Sequence, residues 1–318
     1  MRRRTAGRPR ARVRARALLL AALAGVVAVA AAGCGTDGGE RPSVVVTTNI
    51  LGDITREIVG EEAEVTVLMR PNADPHSFGL SAVQAAELEQ ADLVVHNGLG
   101  LEENVLRHVD AAAEAGVATL AVGDAVDPIA YRSDDSAGQP DPHFWTDPDR
   151  VRTAGALIAD HVVEYVTEAD GAAVRANAAR YDAQLAELTG WMEESFAEIP
   201  SRDRQLVTNH HVFGYLAERF GFEVVGAVIP SGTTLASPSS ADLASLTRAM
   251  DEAGVRAVFA DSSQPERLAQ VLSQETDSEI RVIPLFTESL TEPGGGAGSY
   301  LEMMRANTTA IGEGLTGR

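Results

Sequence analysis

The sequence predicts an α/β protein of two lobes, each a four-stranded, mostly parallel sheet with helices on both faces, joined by one long rigid helix. Three observations predict it. Short β-branched runs alternate with longer helical stretches, the mark of strands linked by crossover helices. The alternation stops near the middle of the chain and then resumes. The interruption itself carries apolar residues at three- and four-residue steps, which is the period of a helix.

In the first lobe, Val44–Asn49, Glu64–Met69, Leu93–Asn97 and Ala118–Val122 read as strands. Their nearly continuous apolar character indicates burial on both faces. Leu51–Val59, Ser81–Gln90 and Leu101–Ala115 read as the helices between them. Thr146-Asp147-Pro148-Asp149 then offers a helix N-cap followed by proline at the first helical position, so a helix should run on to about Thr167. After Gly171 a second helix runs from Ala172 to Glu198, with Val174, Ala178, Tyr181, Leu185, Leu188, Met192 and Phe196 on one stripe. At about 1.5 Å per residue it spans roughly 40 Å, the length of a stiff strut between lobes. In the second lobe the strands are Gln205–Asn209, Val224–Ile229, Ala257–Asp261 and Arg281–Phe286. The helices are Val212–Phe220, Ser240–Glu252, Pro265–Gln274 and Tyr300–Leu315. The expected divisions are a leader over 1–33, a tether over 34–42, a first lobe over 43–170, a linking helix over 171–199 and a second lobe over 200–318.

The N-terminus reads as an export signal. Residues 2–16 hold eight arginines and no acid, and Ala17–Ala32 is a run of 16 small and apolar residues. That run is short for a membrane span, which needs about 20 residues, but fits a signal peptide. It ends in Ala31-Ala32-Gly33-Cys34, which is similar to a bacterial lipobox with Ala31 where leucine is usual. Cys34 is therefore the expected lipidation site; the alternative is a plain secretory signal with an unrelated cysteine. Because it is the one cysteine in the chain, neither an internal disulfide nor a thiolate metal cluster can form. Residues 35–42 read as a flexible tether. Removing the leader takes eight of the 26 basic residues and leaves 18 against 46 acidic ones, a formal charge of −28. That balance argues against nucleic acid as a partner.

Three of the seven histidines lie in short motifs: Asp74-Pro75-His76-Ser77-Phe78, Asp141-Pro142-His143-Phe144-Trp145 and Asn209-His210-His211-Val212-Phe213-Gly214-Tyr215. Each motif follows a predicted strand, and ligands of open α/β sheets bind beyond the carboxyl ends of strands. Two histidines from one lobe and one from the other would meet between the lobes, and Glu288 follows the last strand to the same edge. Three imidazoles and a carboxylate suit a divalent first-row metal, whereas magnesium and calcium prefer all-oxygen shells. Four protein donors can close the shell of a tetrahedral ion, which fits carriage better than catalysis. Asp261 and His211 are the further candidates for ligation or support, His96 is placed to assist from the strand edge, and His108 and His161 read as mid-helix surface residues. Asp134, Asp135 and Asp141 lie in a polar loop read as solvated.

These motifs, in this order, resemble the cluster A-I solute-binding proteins of ABC transporters, which import zinc and manganese, and the resemblance covers the mature chain from about Ser43. The stretches Ile229-Pro230-Ser231-Gly232-Thr233-Thr234 and Phe259-Ala260-Asp261-Ser262-Ser263 look most like the AztC-type zinc-binding branch. The resemblance implies two lobes with metal between them. The implied ligands are His76, His143 and His210, with an acidic residue after the last strand as fourth, here Glu288. Relatives usually carry Asp in that Phe-Thr-Asp-Ser run, many have Asp where this chain has His211, and many zinc members have a histidine-rich loop before His143 that is missing here. Three histidines and one carboxylate lean toward Zn2+ over Mn2+ in such proteins. The implied partners are the ABC permease and ATPase of a metal importer. The expected product is a monomeric lipoprotein on the outer face of the cell membrane that is not an enzyme. The competing readings are a manganese importer component, a surface adhesin, and a zinc hydrolase; against the last, the chain lacks His-Glu-x-x-His and Gly-x-Ser-x-Gly.

Overall fold

The computed structural model describes residues 41–132, 136–255, 257–262, 270, 272 and 281–317. The expected signal, Cys34 and most of the tether lie outside the described residues, as do Asp134, Asp135 and, apart from 270 and 272, the expected helix Pro265–Gln274. Among the described residues no helix is long and apolar enough to cross a membrane.

The first sheet contains β1 (Ser43–Val46), β2 (Glu64–Val67), β3 (Leu93–His96) and β4 (Ala118–Ala121), in the order β2-β1-β3-β4. The second contains β5 (Gln205–Thr208), β6 (Glu223–Ala227), β7 (Ala257–Asp261) and β8 (Arg281–Leu285), in the order β6-β5-β7-β8. Every pairing is parallel. The two sheets thus share one connectivity, and in each the first strand sits inside the sheet. Among the described residues the complete α-helices are α1 (Asn49–Val59), α2 (Ala82–Gln90), α3 (Leu106–Glu114), α4 (Pro148–Tyr165), α5 (Gly171–Ala197), α6 (Gly214–Phe220), α7 (Ser240–Ala253) and α8 (Tyr300–Thr316).

Side chains of a strand alternate between faces, and the core follows that alternation. Val44 and Val46 of β1 and Leu93 and Val95 of β3 pack into the main core, while Val45 and Val94 join a smaller cluster with Leu88, Val105 and Val109. In β7, Ala257 and Phe259 face the main core and Val258 and Ala260 a second satellite with Leu246 and Met250. The linking helix α5 has 27 residues and buries Val174, Tyr181, Leu185, Leu188, Thr189, Met192 and Phe196. It packs against α1, α4 and α8. The main core beneath it is continuous from β1 to β7. The strut is therefore seated in apolar contact along its length.

Asp147 caps α4 through its side chain and Pro148 opens the helix, as the sequence indicates, although the helix stops at Tyr165. One element differs more. The helix expected from Leu101 begins only at Leu106. Glu102 is buried, and its carboxylate accepts hydrogen bonds from Thr47 Oγ1, Asn97 N and Gly98 N. That carboxylate is turned to the sheet edge, and Leu99 takes a left-handed φ of 55°, so the chain reaches helical geometry late.

Candidate metal site

The two Asp-Pro-His motifs use one local device. Asp74 Oδ1 accepts the backbone N–H of His76 at 3.0 Å, and Asp141 Oδ1 accepts that of His143 at 2.9 Å. An aspartate bonding the amide two residues on forms a tight turn, and the intervening proline pre-sets its φ. Asp141 Oδ1 also lies 2.7 Å from His143 Nδ1, and the Tyr131 hydroxyl lies 3.2 Å from the same nitrogen. With Nδ1 facing the carboxylate, His143 carries its proton there and presents a bare Nε2 to the centre.

His210 follows β5 directly, and the Thr208 hydroxyl donates to its carbonyl. The glycine of the third motif is required by packing: a Cβ on Gly214 would sit 2.6 Å from Asp141 Oδ2. Glu288 hangs on a loop fastened at both ends. Thr287 N donates to Asp261 Oδ2 at 3.2 Å, the Trp145 indole donates to Thr287 O at 2.9 Å, and Leu290 N donates to Asn49 Oδ1 at 2.9 Å.

His76, His143, His210 and Glu288 converge, with one donor atom from each all within 4.8 Å of one another, and all four are buried. His143 Nε2 is 3.4 Å from His76 Nε2. Glu288 Oε1 is 3.2 Å from His210 Nε2 and 3.6 Å from His143 Nε2, and Oε2 is 3.8 Å from His76 Nε2. Metal bonds of about 2.0–2.2 Å at tetrahedral angles separate neighbouring donors by roughly 3.3–3.6 Å. The donor contacts, 3.2–3.8 Å, bracket that edge length, and the whole set spans at most 4.8 Å. His210 Nε2 and both Glu288 oxygens have no hydrogen-bond partner despite burial. Buried polar atoms are seldom left so, and an ion at the centre would satisfy all three.

The electrostatics favour a cation. Burial, with the neighbouring imidazoles, drives the His76 pKa down to about 3 against the opposing pull of Glu288, so this ring is neutral near pH 7. Burial would raise the pKa of Glu288, but the imidazoles of His143, His210 and His76 outweigh it and hold the carboxyl at about 2. For His210, burial lowers the pKa and is overcome by the adjacent Glu288 carboxylate, with Asp261 and Asp74 behind it, so the net shift is upward. The pocket therefore holds a carboxylate facing three rings, ready to exchange a proton for a metal.

The other candidates fall outside the cluster. Asp261 supports Thr287, next to Glu288, through its backbone. His211 is held by its amide to Ser231 O at 3.1 Å, its ring lies 6.2 Å from Tyr131, and it lines a separate cavity of about 370 Å³ with Tyr131, Asp141 and Phe213. His96 ends β3 in register with Ala121. Two supporting residues, Tyr131 and Asn49, carried no signal in the sequence, and Thr234, whose hydroxyl donates to Asp74 Oδ2 at 2.7 Å, stood out only within the Ile229–Thr234 stretch. Trp145 was visible only as the neighbour of a histidine.

Compared with known proteins, residues 44–314 match the family profile of the zinc-uptake complex component A, periplasmic. The chain belongs to this family. Among curated relatives it is 29% identical over 301 residues to the manganese-binding lipoprotein MntA of Halalkalibacterium halodurans, covering 92% of this chain and 96% of that protein. It is 27% identical over 308 residues to the manganese ABC transporter substrate-binding lipoprotein PsaA of Streptococcus pneumoniae, covering 94% and 97%. Among solved structures, the periplasmic zinc-binding protein TroA of Treponema pallidum superposes with a TM-score of 0.79 at 24% identity, covering 86% of this chain and 99% of that one. The manganese-bound periplasmic metal-binding protein of Candidatus Liberibacter asiaticus does so with a TM-score of 0.76 at 25% identity, over the same shares. The two-lobed α/β fold is that of these proteins. Family membership makes the chain a metal-binding, substrate-binding component of an ABC transporter.

Proposed function

We propose that the chain captures Zn2+ outside the cytoplasmic membrane, on His76, His143, His210 and Glu288, and delivers it to the permease of an ABC importer driven by its ATPase. The observation that carries this reading is the set of three imidazoles and one carboxylate spaced for a tetrahedral ion, with buried atoms left unpaired. Zinc takes this donor set and number readily. Octahedral ions would need more donors than three imidazoles and one carboxylate supply, even with both carboxylate oxygens bound. Capture and release involve no turnover, and the chain acts as a monomer held to the membrane by lipid on Cys34. On this reading the chain stands with the AztC-type zinc-binding branch.

Manganese is the second reading, and a specific observation favours it: relatives such as MntA and PsaA are named for that metal. Calorimetric titration of the metal-stripped mature chain with zinc and then manganese separates the two, with Glu288→Ala alongside. One tight zinc site, weaker manganese binding and a loss in the variant are expected. Manganese binding tighter than zinc would transfer the function to manganese import, and tight zinc binding unchanged in Glu288→Ala would remove Glu288 from the shell.

A further inference from the structure

The loop that carries Glu288 belongs to the second lobe, yet a first-lobe side chain holds it. Asn49, the first residue of α1, is buried and makes four contacts with its carboxamide. Its Nδ2 donates to Ser289 Oγ at 2.7 Å, to Arg70 O at 3.2 Å and, at the limit of bonding, to Leu290 O at 3.5 Å, while its Oδ1 accepts from Leu290 N at 2.9 Å. Arg70 begins the loop that leads to His76, and Asn72 N donates to Leu290 O at 2.9 Å. One carboxamide therefore ties the loop of His76 to the loop of Glu288.

From this we propose that Asn49 is a positioning residue that fixes the distance between Glu288 and His76 and so sets the rate at which metal leaves. The inference rests on the metal-carrier reading and deepens it. For a bound ion to escape, the carboxylate must swing away from the imidazoles, of which His76 and His143 belong to the other lobe. The Asn49 bonds oppose that swing from the imidazole side. Asparagine is suited to the task because it donates to carbonyl oxygens and accepts from an amide with one short, planar group.

Asn49→Asp tests this by removing the donor while keeping the shape. A carboxylate at the first turn of a helix is favourable, and its oxygen still accepts from Leu290 N. It cannot donate to the carbonyls of Arg70 and Leu290. Zinc release into excess chromophoric chelator would be followed for the full-length mature chain, for Asn49→Asp, for Glu288→Gln and for the double variant, with Asn49→Ala as a second probe. The expected result is release about tenfold faster in Asn49→Asp, and less than about a twofold change when Glu288→Gln is already present. The visible absorption of bound Co2+ should shift in Asn49→Asp if the carboxylate geometry changes. Equal acceleration in both backgrounds, or release at the unaltered rate, overturns the assignment. Absence of zinc binding in the unaltered chain sinks the carrier reading instead, and this inference with it.

Discussion

Trp145 donates its indole N–H to the carbonyl of Thr287 at 2.9 Å, a buried bond that joins a loop of one lobe to a loop of the other. The Tyr300 hydroxyl in turn donates to Trp145 O at 2.7 Å. The histidine two residues before this indole and the glutamate one residue after this carbonyl both reach the metal cluster. Trp145→Phe keeps most of the apolar ring and removes the donor. It should cost about 1–3 kcal/mol, because Thr287 O is left buried and unpaired. Thermal unfolding of the metal-free variant reads that loss, and a weaker zinc affinity by calorimetry is expected with it. Unchanged affinity would mean that the loop is positioned by other contacts.

Asp141 orients the His143 ring. Asp141→Ala removes the acceptor at Nδ1 and the acceptor of the His143 amide. Loss of such a partner costs about 10–100-fold in metal affinity. Competition against a chelator of known strength gives the number, and an affinity within a factor of two of the unaltered chain would refute the orienting role.

Gly214→Ala forces a Cβ to 2.6 Å from Asp141 Oδ2. Either the α6 start or the Asp141 carboxylate must give way. Overpacking of this kind costs about 1–3 kcal/mol. Because the displaced group is the partner of His143, zinc affinity should fall together with the melting temperature. A fall in melting temperature alone would show that α6 moves and Asp141 stays.

The metal-free protein should weaken in acid. His76 takes its proton near pH 6.5 when unfolded but near 3 when folded. The unfolded chain therefore binds more protons between those values, and the His76 contribution is full above pH 6.5 and drains away as pH falls toward 3. Glu288 adds a second loss as pH falls from 4.5 toward about 2. His210 works in the opposite sense: its raised pKa supplies stability below 6.5 that disappears as pH rises through the folded value. Denaturant midpoints in chelator from pH 8 to pH 3 should show a maximum and then a decline in acid, with the decline reduced in His76→Ala. An unchanged decline in that variant would remove His76 as its source.

Much of the architecture was legible because parallel strands buried on both faces are apolar throughout, so β1, β3 and β7 stand out against their polar flanks. The three histidine motifs were legible because each packs its turn chemistry into adjacent residues: aspartate, proline and histidine form one device, and Gly214 clears room for Asp141. What could not be read depends on pairings distant in sequence. Asn49 meets Leu290 across 241 residues, and nothing in Thr47-Thr48-Asn49 marks that partner. The late start of α3 was hidden partly for the same reason: Glu102 reads as a good helix former until its carboxylate is seen accepting from Thr47, 55 residues away, as well as from the nearby amides of Asn97 and Gly98.

The apolar interior that runs unbroken beneath α5 means that this chain cannot be divided at its waist. Severing it near Gly171 would strip both halves at once. The first would lose the cover over Ile54 and Ile158, and the second would keep α5 with its buried Tyr181, Leu185 and Leu188 stripped of α1 and α4. Two fragments made separately would each present a greasy flank to water, and the intact protein should melt as a single cooperative body.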